Sequence, residues 1–200
     1  MSTEPKLGLV VMAYGTPRTT EDIEPYYTHI RRGRAPEPQQ LADLISRYDA
    51  IGGISPLASL TEAQRAALES ALESRMPGAW NVVLGQKHAT PFIEDGVAEL
   101  ADAGITEAVG LVLAPHFSGF SVGEYQRRAA EAGTERGLTM HGINNWHLEQ
   151  AYLYFLTAAV RDALTELPER TTVLFTAHSL PERVLENDPS RLDLKTKVAM

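Results

Sequence analysis

The chain has 200 residues, 44% hydrophobic and 22% charged, proportions that suit a globular protein and exclude disordered and fibrous classes. Eighteen Lys and Arg against 26 Asp and Glu leave a formal net charge of −8, which argues against a general nucleic-acid binder or a membrane-surface protein. The absence of cysteine removes disulfides, thiolate metal sites and cysteine nucleophiles from this chain.

The opening, MSTEPKLGLVVMAYG, has a short apolar run and no cleavage pattern of a signal peptide. No apolar run nears the roughly 18 residues of a membrane span, so a cytoplasmic protein without a transmembrane segment is expected. Residues 7–13 (LGLVVMA) are continuously apolar and stop at Tyr14-Gly15-Thr16-Pro17, which predicts a strand buried on both faces. A helix is expected from Thr20 to about Arg32. A second opens at Pro36 with Leu41, Leu44, Ile45 and Tyr48 at helical spacing. The stretch IGGISP (51–56) reads as a loop, and 61–75 as an Ala/Glu/Leu helix.

A second strand is expected at 80–85, a helix at 91–103 and a third strand at 108–114. A helix at 121–136, a strand at 138–143, a long helix at 147–167 and a fifth strand at 172–177 follow. Strands alternating with helices predict βαβ crossovers, hence an α/β fold with a parallel sheet and helices on both faces. The best boundary lies between Gly142 and Trp146. This gives a first lobe at 1–146 and the start of a second, incomplete lobe at 147–200; alternatively the fifth strand completes the first sheet.

Ligands of such sheets sit outside the carboxyl ends of the strands. The residues there are Tyr14, Lys87-His88, His116 and His178. No GxGxxG follows the first strand and no GxxxxGK[ST] occurs, so dinucleotide and P-loop nucleotide chemistry lack their phosphate cradles. Residues 28–48 hold four arginines (31, 32, 34, 47) against Glu37 and Asp43, a local net of +2. They read either as a clamp for an anionic substrate or as an exposed helix face. Gly52-Gly53 with Ser55 reads as a close backbone approach to a ligand or as a plain helix connection.

The histidines (29, 88, 116, 141, 147, 178) show no HExxH. Imidazole suits divalent metals and proton transfer, yet a single histidine is more often structural. His178 stands out because it follows a buried-strand pattern and precedes a proline-broken turn. Tyr14 could hydrogen-bond, stack on a planar ligand, ligate iron, or merely form an aromatic rim.

Together VMAYGTP (11–17), YYTHIRRGR (26–34), ISRYDAIGGISPL (45–57), PFIEDGVAEL (91–100), ITEAVGLVLAPHFSGFSVGEY (105–125) and TAHSLPE (176–182) resemble the ferrochelatases. Within that family the likeness is to the bacterial enzymes that use coproporphyrin III. It runs from about residue 7 to 183. The resemblance implies two similar βα lobes with a porphyrin between them, and insertion of Fe²⁺ into coproporphyrin III to give Fe-coproporphyrin in haem biosynthesis. It implies that His178 is the catalytic and metal-site histidine and that Tyr14 ligates product iron from the opposite face. It assigns substrate contacts to Tyr14, Arg31, Arg47, Tyr48, Ser55 and Tyr125, and places Lys87 and His88 near the metal entrance.

Iron is then a substrate and no cofactor is retained. Partners are coproporphyrin III, Fe²⁺ and possible enzymes of the haem pathway, with no nucleic acid. Family members are longer than this chain, and none of its residues matches the glutamate that faces the histidine. A chain shortened in this way is expected to be inactive or nearly so. Some members hold a [2Fe–2S] cluster through cysteines, mostly beyond the matching region. Two alternatives are a cobalt chelatase of a related tetrapyrrole and a non-catalytic porphyrin- or haem-binding module.

Overall fold

The computed structural model describes residues 6–176. A four-stranded, wholly parallel sheet forms from β1 (Leu7–Ala13), β2 (Trp80–Gln86), β3 (Glu107–Val112) and β4 (Thr139–Ile143). Its order is β2-β1-β3-β4. The central strand is almost wholly enclosed, with Val10, Val11 and Met12 at 0% exposure, as its continuous apolar run requires.

The helices are α1 (Ile23–Ile30), α2 (Pro38–Asp49), α3 (Leu57–Arg75), α4 (Ile93–Asp102), α5 (Val122–Glu135) and α6 (Gln150–Thr165). A 3₁₀ turn, Thr20–Asp22, leads into α1. On one face of the sheet Leu9, Val11 and Val82 form a cluster covered by Leu68 and Leu72 of α3. On the other face α4 buries Ile93, Val97 and Leu100, and Gln126 of α5 donates to the carbonyls of Gly110 and Ile143. Alternation along the strands thus sends odd-numbered residues of β1 to α3 and even-numbered ones to the opposite layer. The chain leaves β1 toward one edge and returns to the other, so the order switches between β1 and β3, the position where α/β sheets bind ligands.

Two compact units emerge. Among the described residues, the first runs through Leu113 and takes up Tyr125–Ile143; the second comprises Ala114–Glu124 and residues 144–176. In the second unit the Trp146 N–H donates to the Pro115 carbonyl (3.0 Å), His116 packs on His147 with ring centroids 4.7 Å apart, and α6 buries none of its residues.

The fifth strand expected at 172–177 is not formed over its described part. Residues 171–176 have no regular structure, and residues 172–176 are exposed. Apolar β-branched residues alone do not make a strand; a ladder partner must satisfy the backbone, and 172–176 has none in this sheet. The third helix also begins four residues earlier than its Ala/Glu/Leu pattern suggests, at Leu57, where Pro56 takes the N-cap position. No helix among the described residues is long and apolar enough to cross a membrane.

Candidate functional site

The carboxyl end of β1 sets the site. Beyond the strand, the Lys87 N–H donates to the Ala13 carbonyl (2.9 Å) and the His88 N–H to the Tyr14 carbonyl (3.0 Å), which keeps the continuations of β1 and β2 paired past the sheet. The approach is close at Gly15: its φ is +88°, and a Cβ there would lie 2.9 Å from the backbone nitrogen of Ala89. Only glycine fits both conditions. Buried Gln86 holds the returning turn, its side chain donating to the Thr90 carbonyl and its backbone N–H to that of Pro91, both at 2.7 Å. Tyr14 is thereby projected from the sheet end, 44% exposed, with its ring 4.6 Å from that of His88.

The helical pair α1–α2 faces this point and encloses an open cleft of about 410 Å³. Tyr14 lines it with Tyr26, Tyr27 and Ile30 from α1 and Gln40, Asp43, Leu44, Arg47 and Tyr48 from α2. The α2 members recur at spacings of three and four, so one helical face supplies an amide, a carboxylate, a guanidinium and a phenol. The Tyr48 hydroxyl lies 3.4 Å from Thr16 Oγ1, and the Gln39 amide donates to Asp43 at 2.8 Å. Burial, followed by the neighbouring Tyr48, Tyr14 and Tyr125 phenols, pushes the Tyr26 hydroxyl well above the usual tyrosine range. The shift reinforces the neutral hydroxyl that a tyrosine already carries near pH 7.

Three of the expected residues, Tyr14, Arg47 and Tyr48, meet in this cleft. Arg31 stands next to it: its guanidinium lies over the Tyr27 ring at 5.4 Å, and its Nε donates to the Arg34 carbonyl. Tyr125 is buried, 5% exposed, with the Lys87 ammonium 5.3 Å from its ring centre. Ser55 is not among the residues lining the cleft; its Oγ accepts the Leu57 N–H at 3.2 Å, tying the IGGISP loop to the start of α3. Gly52 and Gly53 in that loop have φ of +99° and +107°. His178 lies outside the described residues. His141 of β4 pairs with Glu107 of β3, and His116 belongs to the second unit.

The sequence reading gave no site role to Tyr26, Tyr27 or Gln40, and counted Asp43 only as a charge against the arginines. Their signal is the i, i+3, i+4 recurrence around Tyr27–Ile30 and Asp43–Arg47, which marks single faces of α1 and α2. It also missed a contact across 59 residues: His29 Nδ1 and His88 Nδ1 are 3.0 Å apart. These two rings border a smaller cavity of about 170 Å³, whose wall Tyr26 shares with the larger cleft.

Comparison with known proteins gives a consistent picture. The ferrochelatase family model matches residues 6–199. The chain is 46% identical over 196 residues to the coproporphyrin III ferrochelatase of Oceanobacillus iheyensis, covering 95% of this chain and 63% of that protein. It is 50% identical over 191 residues to the coproporphyrin III ferrochelatase of Bacillus subtilis, covering 92% and 62%. It is 46% identical over 198 residues to that of Halalkalibacterium halodurans, covering 96% and 64%. The chain thus spans less than two thirds of the length of these relatives.

Proposed function

This chain belongs to the ferrochelatase family, and from that membership we propose that its protein inserts Fe²⁺ into coproporphyrin III to give Fe-coproporphyrin. The observation that carries this reading is the cleft at the end of β1, where Tyr14, Arg47 and Tyr48 converge beside Arg31.

Coproporphyrin III is a planar tetra-anion at neutral pH, with a large apolar face and four propionates. A protein of net charge −8 needs local cations to hold it, and Arg47 and Arg31 supply them. Their planar guanidinium groups pair with carboxylates through two parallel hydrogen bonds. Tyr48 adds a neutral hydroxyl inside the cleft, and Ser55, outside the cleft and accepting the Leu57 N–H, keeps its own O–H free to donate to a propionate. Tyr125, with Lys87 over its ring, contributes apolar and cationic wall.

Metal insertion must break two pyrrole N–H bonds as two Fe–N bonds to the same nitrogens form, and the two protons must leave. In this proposal His178 accepts them one at a time and releases the first to solvent before taking the second, since neutral imidazole takes a single proton near pH 7. Tyr14, at the opposite face, ligates the iron of the product through its phenol oxygen. Binding energy from the clamped propionates offsets the cost of bending the macrocycle so that its nitrogen lone pairs point out of plane. Iron is substrate here, the protein keeps no cofactor, and exchange of porphyrin with other haem-pathway enzymes in the cytoplasm completes the reading.

One assay tests it. Fe²⁺ insertion is followed with coproporphyrin III and with protoporphyrin IX, beside porphyrin titration, for this chain and for this chain joined to the remaining C-terminal part of the Bacillus subtilis relative. Insertion by the joined protein, faster into coproporphyrin III than into protoporphyrin IX, supports the proposal. Binding without insertion by both identifies a porphyrin-binding module instead.

A further inference from the structure

The cleft at the end of β1 carries a charge that the binding of a tetra-anion leaves unexplained. Its lining holds one guanidinium, Arg47, and one carboxylate, Asp43, so their formal charges cancel. A wall built only to attract propionates would have no use for the acid. We infer that Asp43 is a specificity-determining residue, which admits an uncharged substituent of the macrocycle beside the propionate on Arg47 and turns away a second carboxylate there. That role rests on the porphyrin reading proposed above.

Asp43 and Arg47 stand at i and i+4 on α2, so their side chains leave the same face about 6 Å apart along the axis. Leu44 and Tyr48, the residues that follow each of them, also line the cleft. Along the helix the wall thus runs from an anionic and apolar end, Asp43 with Leu44, to a cationic and hydroxylic end, Arg47 with Tyr48. The carboxylate is held in place: the Gln39 side-chain amide donates to its Oδ1 at 2.8 Å. Among the described residues neither Asp43 nor Arg47 joins an ion pair, so the two charges do not quench each other in the empty cleft.

Each pyrrole ring of coproporphyrin III bears one methyl and one propionate on adjacent carbons. An edge laid along this wall with its propionate at Arg47 brings the neighbouring methyl toward Leu44 and Asp43. The opposite sense would set a propionate against the Asp43 carboxylate. That contact costs Coulomb energy and gains no hydrogen bond, since neither group has a proton to donate. The same clash meets a porphyrin in which the methyl is replaced by an acetate group, whichever way its edge runs. Discrimination of this kind comes from a repulsive contact and not from a better attractive one. Two unit charges about 6 Å apart change an equilibrium by about threefold in bulk water, and by more where the wall excludes water.

Fluorescence titration of the 200-residue chain with coproporphyrin III and with uroporphyrin III, whose ring methyls are replaced by acetates, tests the role. Work at about 0.15 M salt screens charges beyond about 8 Å. The wild type should prefer coproporphyrin III. Asp43→Asn keeps the size of the side chain and an acceptor for Gln39, and should reduce that preference about threefold or more by tightening uroporphyrin binding. Asp43→Glu should keep the preference. So should Asp49→Asn, which removes the same charge from α2 at a residue outside the cleft lining. An unchanged ratio of affinities in Asp43→Asn, or an equal change in Asp49→Asn, would overturn the role of Asp43 while leaving the porphyrin cleft in place. No binding of either porphyrin by the wild-type chain would overturn the cleft reading and this role together.

Discussion

Arg128 holds Glu94 through two parallel hydrogen bonds of 2.7 Å, and its third nitrogen donates to the Lys87 carbonyl at 2.9 Å. One guanidinium thus ties α5 to α4 and to the turn that presents Lys87 and His88. Burial alone would raise the Glu94 pKa, but the Arg128 hydrogen bonds, a backbone hydrogen bond and the nearby charges outweigh it and hold the carboxyl below the usual range.

The sign of the pH effect follows. A carboxylate whose folded pKa is lowered contributes stability that is complete above its unfolded value, near 4.5, and is lost as pH falls through the folded value. Glu94→Gln should cost about 0.5–1 kcal/mol at pH 7, small because Glu94 is 46% exposed. The deficit should shrink below about pH 4.5. Denaturant melts at pH 7 and pH 3 check this; an equal deficit at both would sever the link to charge.

Arg47→Ala should weaken coproporphyrin III binding by this chain about tenfold, the scale of one lost charge-assisted hydrogen-bond pair. Arg47→Lys should recover only part of it, because an ammonium cannot make the planar two-point contact. Fluorescence titration at low and high salt measures both. Unchanged affinity in both variants would remove the α2 face from the binding site.

Gly96→Ala sets helix propensity against packing. Alanine is favoured by about 1 kcal/mol inside a helix. Its Cβ, however, would stand 2.7 Å from the Leu84 carbonyl oxygen, a backbone atom of β2 that cannot swing aside. Overpacking of this kind costs about 1–3 kcal/mol, so a net loss of up to about 2 kcal/mol is expected. Thermal unfolding should show Tm lower by several degrees; a rise in Tm would mean that α4 shifts freely off β2.

His178→Ala should lower Fe²⁺ insertion by at least about a hundredfold, the contribution of one positioned proton acceptor. The comparison is made in a protein long enough to show wild-type turnover, with porphyrin affinity measured alongside. Retained affinity with lost turnover is the expected pattern. Wild-type turnover would refute the role given to this histidine.

Much of the α/β order could be read directly from residue patterns. The run LGLVVMA stops where β1 stops because a strand enclosed on both faces must be apolar throughout, and Gly15-Thr16-Pro17 cannot continue it. Leu41, Leu44, Ile45 and Tyr48 announced α2 because burial on one helical face imposes a 3.6-residue period. The 172–177 stretch carried the same apolar signal and misled, since a strand also needs a neighbour and no local pattern encodes that neighbour.

The cleft divides in the same way. Tyr14, Arg47 and Tyr48 could be named from the sequence because their chemistry stands at a strand end or on a helix face. That His88 meets His29, or that Arg128 meets Glu94, follows from parallel register and helix packing, which bring together residues 59 and 34 positions apart. The sequence by itself determined the periods, the strand ends and the kinds of side chain at the carboxyl edge of the sheet, because burial leaves a local imprint on composition. Which of those side chains touch was decided only in three dimensions, because contact depends on the order β2-β1-β3-β4 and on the layers that close over it.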